Sequence, residues 1–207
     1  MYKEIDKGKD MTKIIFATGN EGKAKEVAMM FQDVDVSVLT LKQASIQAEI
    51  IEDGKTFMEN AIIKAKAIAK LTDAIVLADD SGLVIDALNG EPGIYSARYM
   101  GEDTSYDIKN TELIRRLEGV EDEKRTARFV CAMAAIMPDG ELIEAEGVME
   151  GRIGYEIVGE NGFGYDPIFY LPQYGMTSAE ISPEEKNAIS HRGQALRKMQ
   201  EEIKKRI

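Results

Sequence analysis

The feature that most constrains the fold is a pair of long strand-like stretches joined by a three-residue turn. Residues 128–137 read RFVCAMAAIM, residues 138–140 are Pro-Asp-Gly, and residues 141–151 read ELIEAEGVMEG. Pro, Asp and Gly favour a tight reversal between strands, so this pattern predicts an antiparallel hairpin. A chain that contains it is not expected to form a purely parallel, doubly wound sheet.

Upstream of this hairpin, short apolar stretches alternate with amphipathic ones. Residues 13–18 (KIIFAT) predict a strand, and apolar residues then recur at helical spacing through Phe31, so a helix follows the strand directly. A second helix is predicted over 56–70, because Thr56 and Glu59 form a capping-box pattern at its start. Within this helix, two polar side chains four residues apart share one face, namely those of Asn60 and Lys64.

Two further strand patterns, residues 74–78 (AIVLA) and 83–88 (LVIDAL), lie on either side of a short acidic segment. A helix is predicted over 104–118, and Ser182 and Ser190 each precede a helical pattern near the end of the chain. Strands and helices are therefore joined by both hairpins and crossovers. The sequence predicts an α/β protein built on a mixed sheet.

Composition narrows the function classes. The 207 residues, 44% of them hydrophobic, suit one domain over 1–207, with residues 1–10 as an N-terminal extension. The net charge of −11 argues against a broad nucleic-acid-binding face, since contacts to phosphate backbones need clustered Lys and Arg. No apolar run approaches the ~20 residues of a membrane span and the charged start is unlike a secretory signal, so a cytoplasmic protein is expected.

The lone Cys131 lies in an apolar run and is expected to behave as a small hydrophobic residue, which excludes a disulfide framework. The junction between the first strand and helix reads Gly-Asn-Glu-Gly-Lys and has two interpretations. It is either an ordinary turn with a solvated Lys23, or an anion site made by main-chain N–H groups and the Lys23 charge. Its spacing is not that of a Walker phosphate loop.

Asp79 and Asp80 end the apolar run of residues 74–78. Successive side chains of a strand point to opposite faces, so both acids face one site only if the strand has ended, and one of them is expected to serve structure. The pair is either a turn former or a source of one carboxylate for magnesium or for water activation. Glu52, which precedes a helix start, is uninformative when taken alone.

Two segments near the end of the chain also permit alternatives. Phe163 lies between two glycines, so its ring either stacks on a flat base from an exposed loop or folds back into the core. Asp166 of the same loop is a hydrogen-bond acceptor. His191, the only histidine, is followed by Arg192 at a helix start, and it is either a structural residue or part of a site.

Taken in order, the segments TGNEGK, EDGKTFMENAIIKA, ADDSGL, PGIYSARY, NGFGYDPIF and EEKNAISHRGQAL resemble a known family. The chain is similar, over residues 14–203, to the inosine triphosphate pyrophosphatases, also called Ham1-like or RdgB-like nucleoside triphosphate pyrophosphatases. The resemblance implies an elongated mixed sheet flanked by helices, with two lobes around a central cleft, and a homodimer. It also implies hydrolysis of ITP, dITP and XTP to the monophosphate and pyrophosphate, which cleanses the nucleotide pool.

The resemblance further implies roles for individual residues. Asp80 would be the catalytic base, and Glu52 and Asp80 would bind Mg²⁺. The purine nucleotide would be bound by Thr18, Gly19, Asn20, Glu21, Gly22, Lys23, Lys64, Ser81, Phe163, Gly164, Tyr165, Asp166, Lys186, His191 and Arg192. Two other functions remain open, a Maf-like pyrophosphatase of the same fold and a nucleotide-sensing module without catalysis.

Overall fold

The computed structural model describes residues 11–19, 21–32 and 35–207, so the expected extension over residues 1–10 lies outside the described part, as does Asn20. The α-helices of the described residues are α1 (Glu21–Met30), α2 (Phe57–Ala69), α3 (Tyr106–Arg116), α4 (Pro183–Ile189) and α5 (His191–Lys204). The strands are β1 (Thr12–Phe16), β2 (Val36–Thr40), β3 (Ile75–Ile85), β4 (Thr126–Ile136), β5 (Leu142–Ile153), β6 (Phe169–Leu171) and β7 (Met176–Thr177).

These strands form one mixed sheet in the order β2-β1-β3-β4-β5-β6-β7. The first three strands of this order are parallel to one another, and all later pairs are antiparallel. The predicted hairpin is confirmed as β4 and β5, and Gly140 in its turn has a φ of 89°, which favours glycine. The α/β fold with a mixed sheet is therefore confirmed.

The prediction of two separate strands around the acidic pair was wrong. Residues 75–85 form the single strand β3, because β4 pairs with it without interruption, with Asp79 opposite Met133 and Asp80 opposite Ala132. Residues 86–88, which were assigned to the second strand, form a turn of 3₁₀-helix instead. Hydrogen bonds to the main chain of β4 hold Asp79 and Asp80 in the strand, although aspartate by itself does not favour a strand.

The other edge of β3 creates the opening in which the candidate site lies. β1 pairs with β3 only from Ile75 to Leu77, and the chain then turns away through residues 17–19 into α1. At Asp79 and Asp80, β3 is therefore still paired with β4 along one edge but is no longer paired with β1 along the other. A polar cleft can form at this point without breaking the sheet.

Two lobes share the long strands β3, β4 and β5. In the first lobe, one apolar cluster includes Phe16, Val27 and Leu196 from β1, α1 and α5, while a cluster around Ala61 and Ala65 of α2 packs on the opposite face. In the second lobe, the other halves of the long strands pack with α3 and β6. Cys131 is buried in the first cluster, where burial raises the pKa of its thiol to about 12, as suits a hydrophobic core residue.

The three helix caps predicted from the sequence are present, one of them only in part. Ser182 and Glu185 form the reciprocal capping box of α4, and the Ser190 hydroxyl accepts the Gly193 N–H at the start of α5, as predicted. At α2 only half of the predicted box is present, because the Glu59 carboxylate accepts from the N–H of Lys55 rather than that of Thr56. No helix of the described residues is long and apolar enough to cross a membrane.

Candidate active site

A cavity of about 540 Å³ opens where β1 leaves β3. It lies between the two lobes, with α1 and α2 on one side and residues 161–166 and 183–192 on the other. Its walls contain most of the side chains that the resemblance places in a nucleotide site, namely Thr18, Gly19, Lys23, Glu52, Lys64, Ser81, Phe163, Gly164, Tyr165, Asp166, Lys186, His191 and Arg192. Two expected residues, Glu21 and Gly22, begin α1. Asp80 is not among the lining residues, but its neighbour Lys64 is.

Asp79 and Asp80 face opposite sides of β3, as strand alternation predicts. Asp79 is the acid that lines the cavity, with its side chain 1% exposed and paired to Lys23 Nζ at 2.7 Å. The Nε atom of Arg192 lies 3.8 Å from the same carboxylate. Burial alone would raise the pKa of Asp79, but the neighbouring charges of Lys23 and Arg192 outweigh it and hold this pKa below its usual value.

Asp80 faces α2 with 15% of its side chain exposed. Its Oδ2 accepts a hydrogen bond from Asn60 Nδ2 at 3.0 Å, and its Oδ1 lies 3.9 Å from Lys64 Nζ. Burial raises the pKa of Asp80, although the Lys64 charge and the Asn60 hydrogen bond act in the opposite direction. The two adjacent acids therefore differ: the first is locked in an ion pair, and the second is a better proton acceptor.

Lys64 joins Asp80 to Glu52, whose Oε2 lies 2.9 Å from Lys64 Nζ. The two carboxylates thus contact the same ammonium group. Among the described residues there is no group of three or more His, Cys, Asp or Glu side chains that could hold a metal ion. Two carboxylates suit Mg²⁺ nevertheless, since this ion usually keeps several waters and takes its other ligands from substrate phosphates.

The loop over 161–166 exposes Phe163, so the alternative in which this ring folds into the core is wrong. Phe163 is 56% exposed, and the cations of Lys186 and Arg192 lie 5.5 and 5.8 Å from the centre of its ring. A Cβ at Gly162 would lie 2.2 Å from Asp166 Oδ2, and its φ of 77° also requires glycine. The glycine that precedes Phe163 is therefore required by the way the loop folds over Asp166.

The polar atoms of the Asp166 and Tyr165 side chains form hydrogen bonds with other groups of the protein. The buried Asp166 carboxylate accepts hydrogen bonds from the Phe163 N–H at 2.8 Å, from the Ser178 hydroxyl at 2.8 Å and from Lys186. The hydroxyl of Tyr165 donates to the carbonyl of Ser96 at 2.7 Å. Both residues line the cavity, but their polar atoms hold the loop in place.

The start of α5 forms the wall beside Phe163. The His191 ring is buried and stacks on Phe129, with 4.9 Å between ring centres and 14° between planes. Burial lowers the pKa of His191 well below 6.5, and the charges of Arg192 and Lys186 lower it further. His191 Nδ1 has no hydrogen-bond partner among the described residues, and Arg192 Nη2 donates to the Ser81 hydroxyl at 3.3 Å. A neutral imidazole and a guanidinium thus face the cavity together.

Several residues of the site were not singled out by the sequence. Phe129 supports His191 from β4, and Asn110 of α3 donates to the Gly164 carbonyl at 3.0 Å. Ser96, in the PGIYSARY segment, accepts from the Leu83 N–H and so fixes that segment against β3. Asn60, by contrast, was singled out by the sequence through its position one helical turn before Lys64. The others are joined through tertiary contacts that no local pattern reveals.

The fold and this cleft define an α/β protein with a polar, cation-lined cavity between two lobes. Residues 14–202 match the Ham1 family model, and the chain belongs to this family. It is 48% identical over 193 residues to the dITP/XTP pyrophosphatase of Listeria innocua serovar 6a, covering 93% of this chain and 95% of that protein. It is also 49% identical over 189 residues to the dITP/XTP pyrophosphatase of Desulforamulus reducens, covering 91% and 94% of the two chains.

Solved structures of similar proteins have the same fold. The Ham1 protein of Staphylococcus aureus superimposes with a TM-score of 0.87 at 41% identity, covering 95% of this chain and all of that one. A Ham1 protein of Coxiella burnetii gives a TM-score of 0.88 at 42% identity, covering 94% of this chain and all of that one. The expected Ham1-like fold is thereby confirmed.

Proposed function

We propose that this protein is a nucleoside triphosphate pyrophosphatase that hydrolyses dITP, XTP and ITP to the monophosphate and pyrophosphate. The observation that carries the proposal is the charge of the cavity. In a chain with a net charge of −11, the described lining brings together four cationic side chains, Lys23, Lys64, Lys186 and Arg192. Three of these cations are paired with acids of the same lining, namely Asp79, Glu52 and Asp166. The phosphates of a nucleoside triphosphate can compete for such cations, and an exposed aromatic ring beside them suits its base.

Family membership supports the same reading. The relatives from Listeria and Desulforamulus bear the name dITP/XTP pyrophosphatase and match more than nine tenths of the chain. A Maf-like activity is correspondingly disfavoured. A nucleotide-sensing module without turnover is disfavoured by the presence of both Glu52 and Asp80 beside Lys64, because binding alone does not need an acid that activates water.

The chemistry divides between the residues as follows. Lys23 and the N–H groups at the start of α1 bind phosphate oxygens. Asp80 accepts a proton from a water molecule as the oxygen of this water attacks phosphorus. The bridging bond between the α- and β-phosphates then breaks, and pyrophosphate leaves. Phe163 stacks on the purine, and Arg192 donates to the six-position carbonyl that hypoxanthine and xanthine carry.

We also propose that Glu52 and Asp80 hold Mg²⁺. Their shared contact with Lys64 supports this assignment, as do their hard oxygen atoms. When bound, the ion would neutralise developing phosphate charge. The homodimer implied by the family resemblance is likewise part of the proposal; light scattering that returned the 23.0 kDa mass of one chain would contradict it.

A substrate panel tests the proposed function. The protein is incubated with Mg²⁺ and, separately, dITP, XTP, ITP, GTP and ATP, and pyrophosphate and orthophosphate are assayed independently. The expected result is pyrophosphate from the first three nucleotides and little from the last two. Orthophosphate as the first product would place the cleavage at another bond, and binding without any product would identify a sensor.

A further inference from the structure

Asn60 is the one fully buried polar side chain of α2, and both ends of its amide are used. Its Nδ2 donates to Asp80 Oδ2 at 3.0 Å, and its Oδ1 accepts the N–H of Gly54 at 2.9 Å. Gly54 is two residues beyond Glu52. One side chain therefore contacts Asp80 and the segment that carries the second acid of the site.

The orientation of the Asn60 amide is fixed by chemistry. A flipped amide would place its NH₂ group against the Gly54 N–H and its oxygen against the Asp80 carboxylate, which are two repulsive contacts. The fit is also close, because a Cβ at Gly54 would lie 2.6 Å from Asn60 Oδ1. No side chain larger than hydrogen fits there while this hydrogen bond is kept.

Asn60 differs from the lysine partners of the acids, Lys23 and Lys64, because it is neutral. Lys23 balances the charge of Asp79, whereas Asn60 fixes one oxygen of Asp80 and leaves its negative charge available. The second oxygen of Asp80 accepts from the Ser81 N–H at 3.0 Å. Two neutral donors thus set the direction of this carboxylate.

We propose that Asn60 is a positioning residue, which aims the Asp80 carboxylate and keeps the Glu52 segment beside it so that the two acids can share one cation. The inference deepens the proposed function and rests on it for its kinetic consequence. Its metal-binding consequence is independent of hydrolysis. Hydrogen bonds to ligating groups of this kind usually change metal affinity or activity by roughly 10–100-fold when removed.

The test compares two variants of Asn60 with a matched control on the same helix. Asn60→Ala removes both hydrogen bonds. Asn60→Asp keeps an acceptor for the Gly54 N–H but turns a carboxylate toward Asp80, so it separates the two contacts. Ile68→Val, in the buried face of α2, lowers stability without contacting either acid. For each protein, kcat and KM for ITP are measured with Mg²⁺, and binding of Mn²⁺ alone is titrated by electron paramagnetic resonance.

The expected result for Asn60→Ala is a kcat at least about tenfold lower, a KM within about threefold of wild type, and Mn²⁺ binding at least about tenfold weaker. Asn60→Asp is expected to lose kcat to a similar extent although it can still hold Gly54. Ile68→Val should keep wild-type kcat and metal binding. If Asn60→Ala keeps both within twofold, or if Asn60→Asp has the kcat of the wild type, the residue only fastens the segment and the inference is wrong.

Failure of the proposed function would be visible separately. If the wild type releases no pyrophosphate but binds Mn²⁺, the function fails, and weaker Mn²⁺ binding in Asn60→Ala still supports the positioning role. If the wild type neither turns over nor binds Mn²⁺, the acids share no cation and the inference falls with the function.

Discussion

The two ends of the cavity are held together by different kinds of bond. At the β1 end, Lys23 and Lys64 are paired with carboxylates of Asp79, Asp80 and Glu52. At the other end, the main chain of the loop over 161–166 is itself hydrogen-bonded, in addition to the ion pair between Lys186 and Asp166. The Phe163 N–H donates to Asp166, and the Gly164 carbonyl accepts from Asn110. Ion pairs can exchange partners when a charged ligand arrives, whereas main-chain hydrogen bonds hold a fixed shape.

This difference suggests a division of labour. The β1 end is suited to phosphate and metal, whose charges compete for the same lysines and acids. The loop end is suited to discrimination between bases, because a rigid wall penalises a base that pairs badly with it. Each of the following substitutions tests one side of this comparison.

The largest effect is expected at Asp80. Asp80→Asn keeps the size of the side chain but removes the proton acceptor, so kcat should fall by at least about 100-fold, the usual scale for a general base. Asp79→Asn should act mainly on KM, because this acid holds Lys23 and approaches Arg192 without facing the Glu52 side of the site. Steady-state kinetics with ITP measure both. An equal loss of kcat in the two variants would show that the adjacent acids do not have separate roles.

The next effect concerns base selection at the loop end. Adenine carries a donor at its six-position where hypoxanthine carries an acceptor, and Arg192 can only donate. Arg192→Ala should therefore lower kcat/KM for ITP far more than kcat/KM for ATP. The ratio of these two values should fall by about 100-fold, which corresponds to the upper end of the ~1–3 kcal/mol that an unpaired buried donor costs. Phe163→Leu is the matched control, since loss of stacking should weaken both nucleotides alike. An unchanged ratio in Arg192→Ala would move base selection to the main chain of residues 163–166.

A smaller effect is expected from the phosphate lysine. Lys23→Ala should raise KM for ITP about thirtyfold, which corresponds to the ~2 kcal/mol of a hydrogen bond between charged groups. It should also make KM less dependent on salt, because one screened contact has been removed. Lys186→Ala provides the comparison: Lys186 pairs with Asp166 and lies over Phe163, so its loss should disturb base selection as well. If the ratio of kcat/KM for ITP to kcat/KM for ATP is the same in both variants, the two ends of the cavity do not have separate roles.

The sequence predicts local elements of this molecule better than its long-range contacts. The hairpin of β4 and β5 and the cap at Ser190 were predicted correctly because they depend on neighbouring residues. The continuity of β3 was missed, since it depends on a partner strand some 50 residues away along the chain. The pairing of Lys23 with Asp79 has the same long-range origin. Local patterns therefore predict elements and the residues near a site, while the partner of each charge is set by the tertiary fold.

The smallest effect tests how completely the loop end excludes water. His191 is the only histidine, and its pKa in the folded protein is lowered by burial and by the nearby cations. In the unfolded chain His191 has a pKa of about 6.5, so below this pH the unfolded chain binds a proton that the folded protein does not. The free energy of unfolding is therefore higher at high pH and decreases as the pH falls. Between about pH 7.5 and 5.5 the free energy of unfolding should therefore fall, because the unfolded chain takes up this proton and the folded protein does not.

His191→Gln lacks the titrating group and should lose less stability over the same range, so denaturant unfolding of the two proteins at both pH values isolates the contribution of His191 from that of the carboxylates. If the two proteins lose stability in parallel, His191 takes up a proton while the protein stays folded. The wall beside Phe163 would then admit water, and a buried, neutral imidazole could not be part of the rigid surface that selects the base.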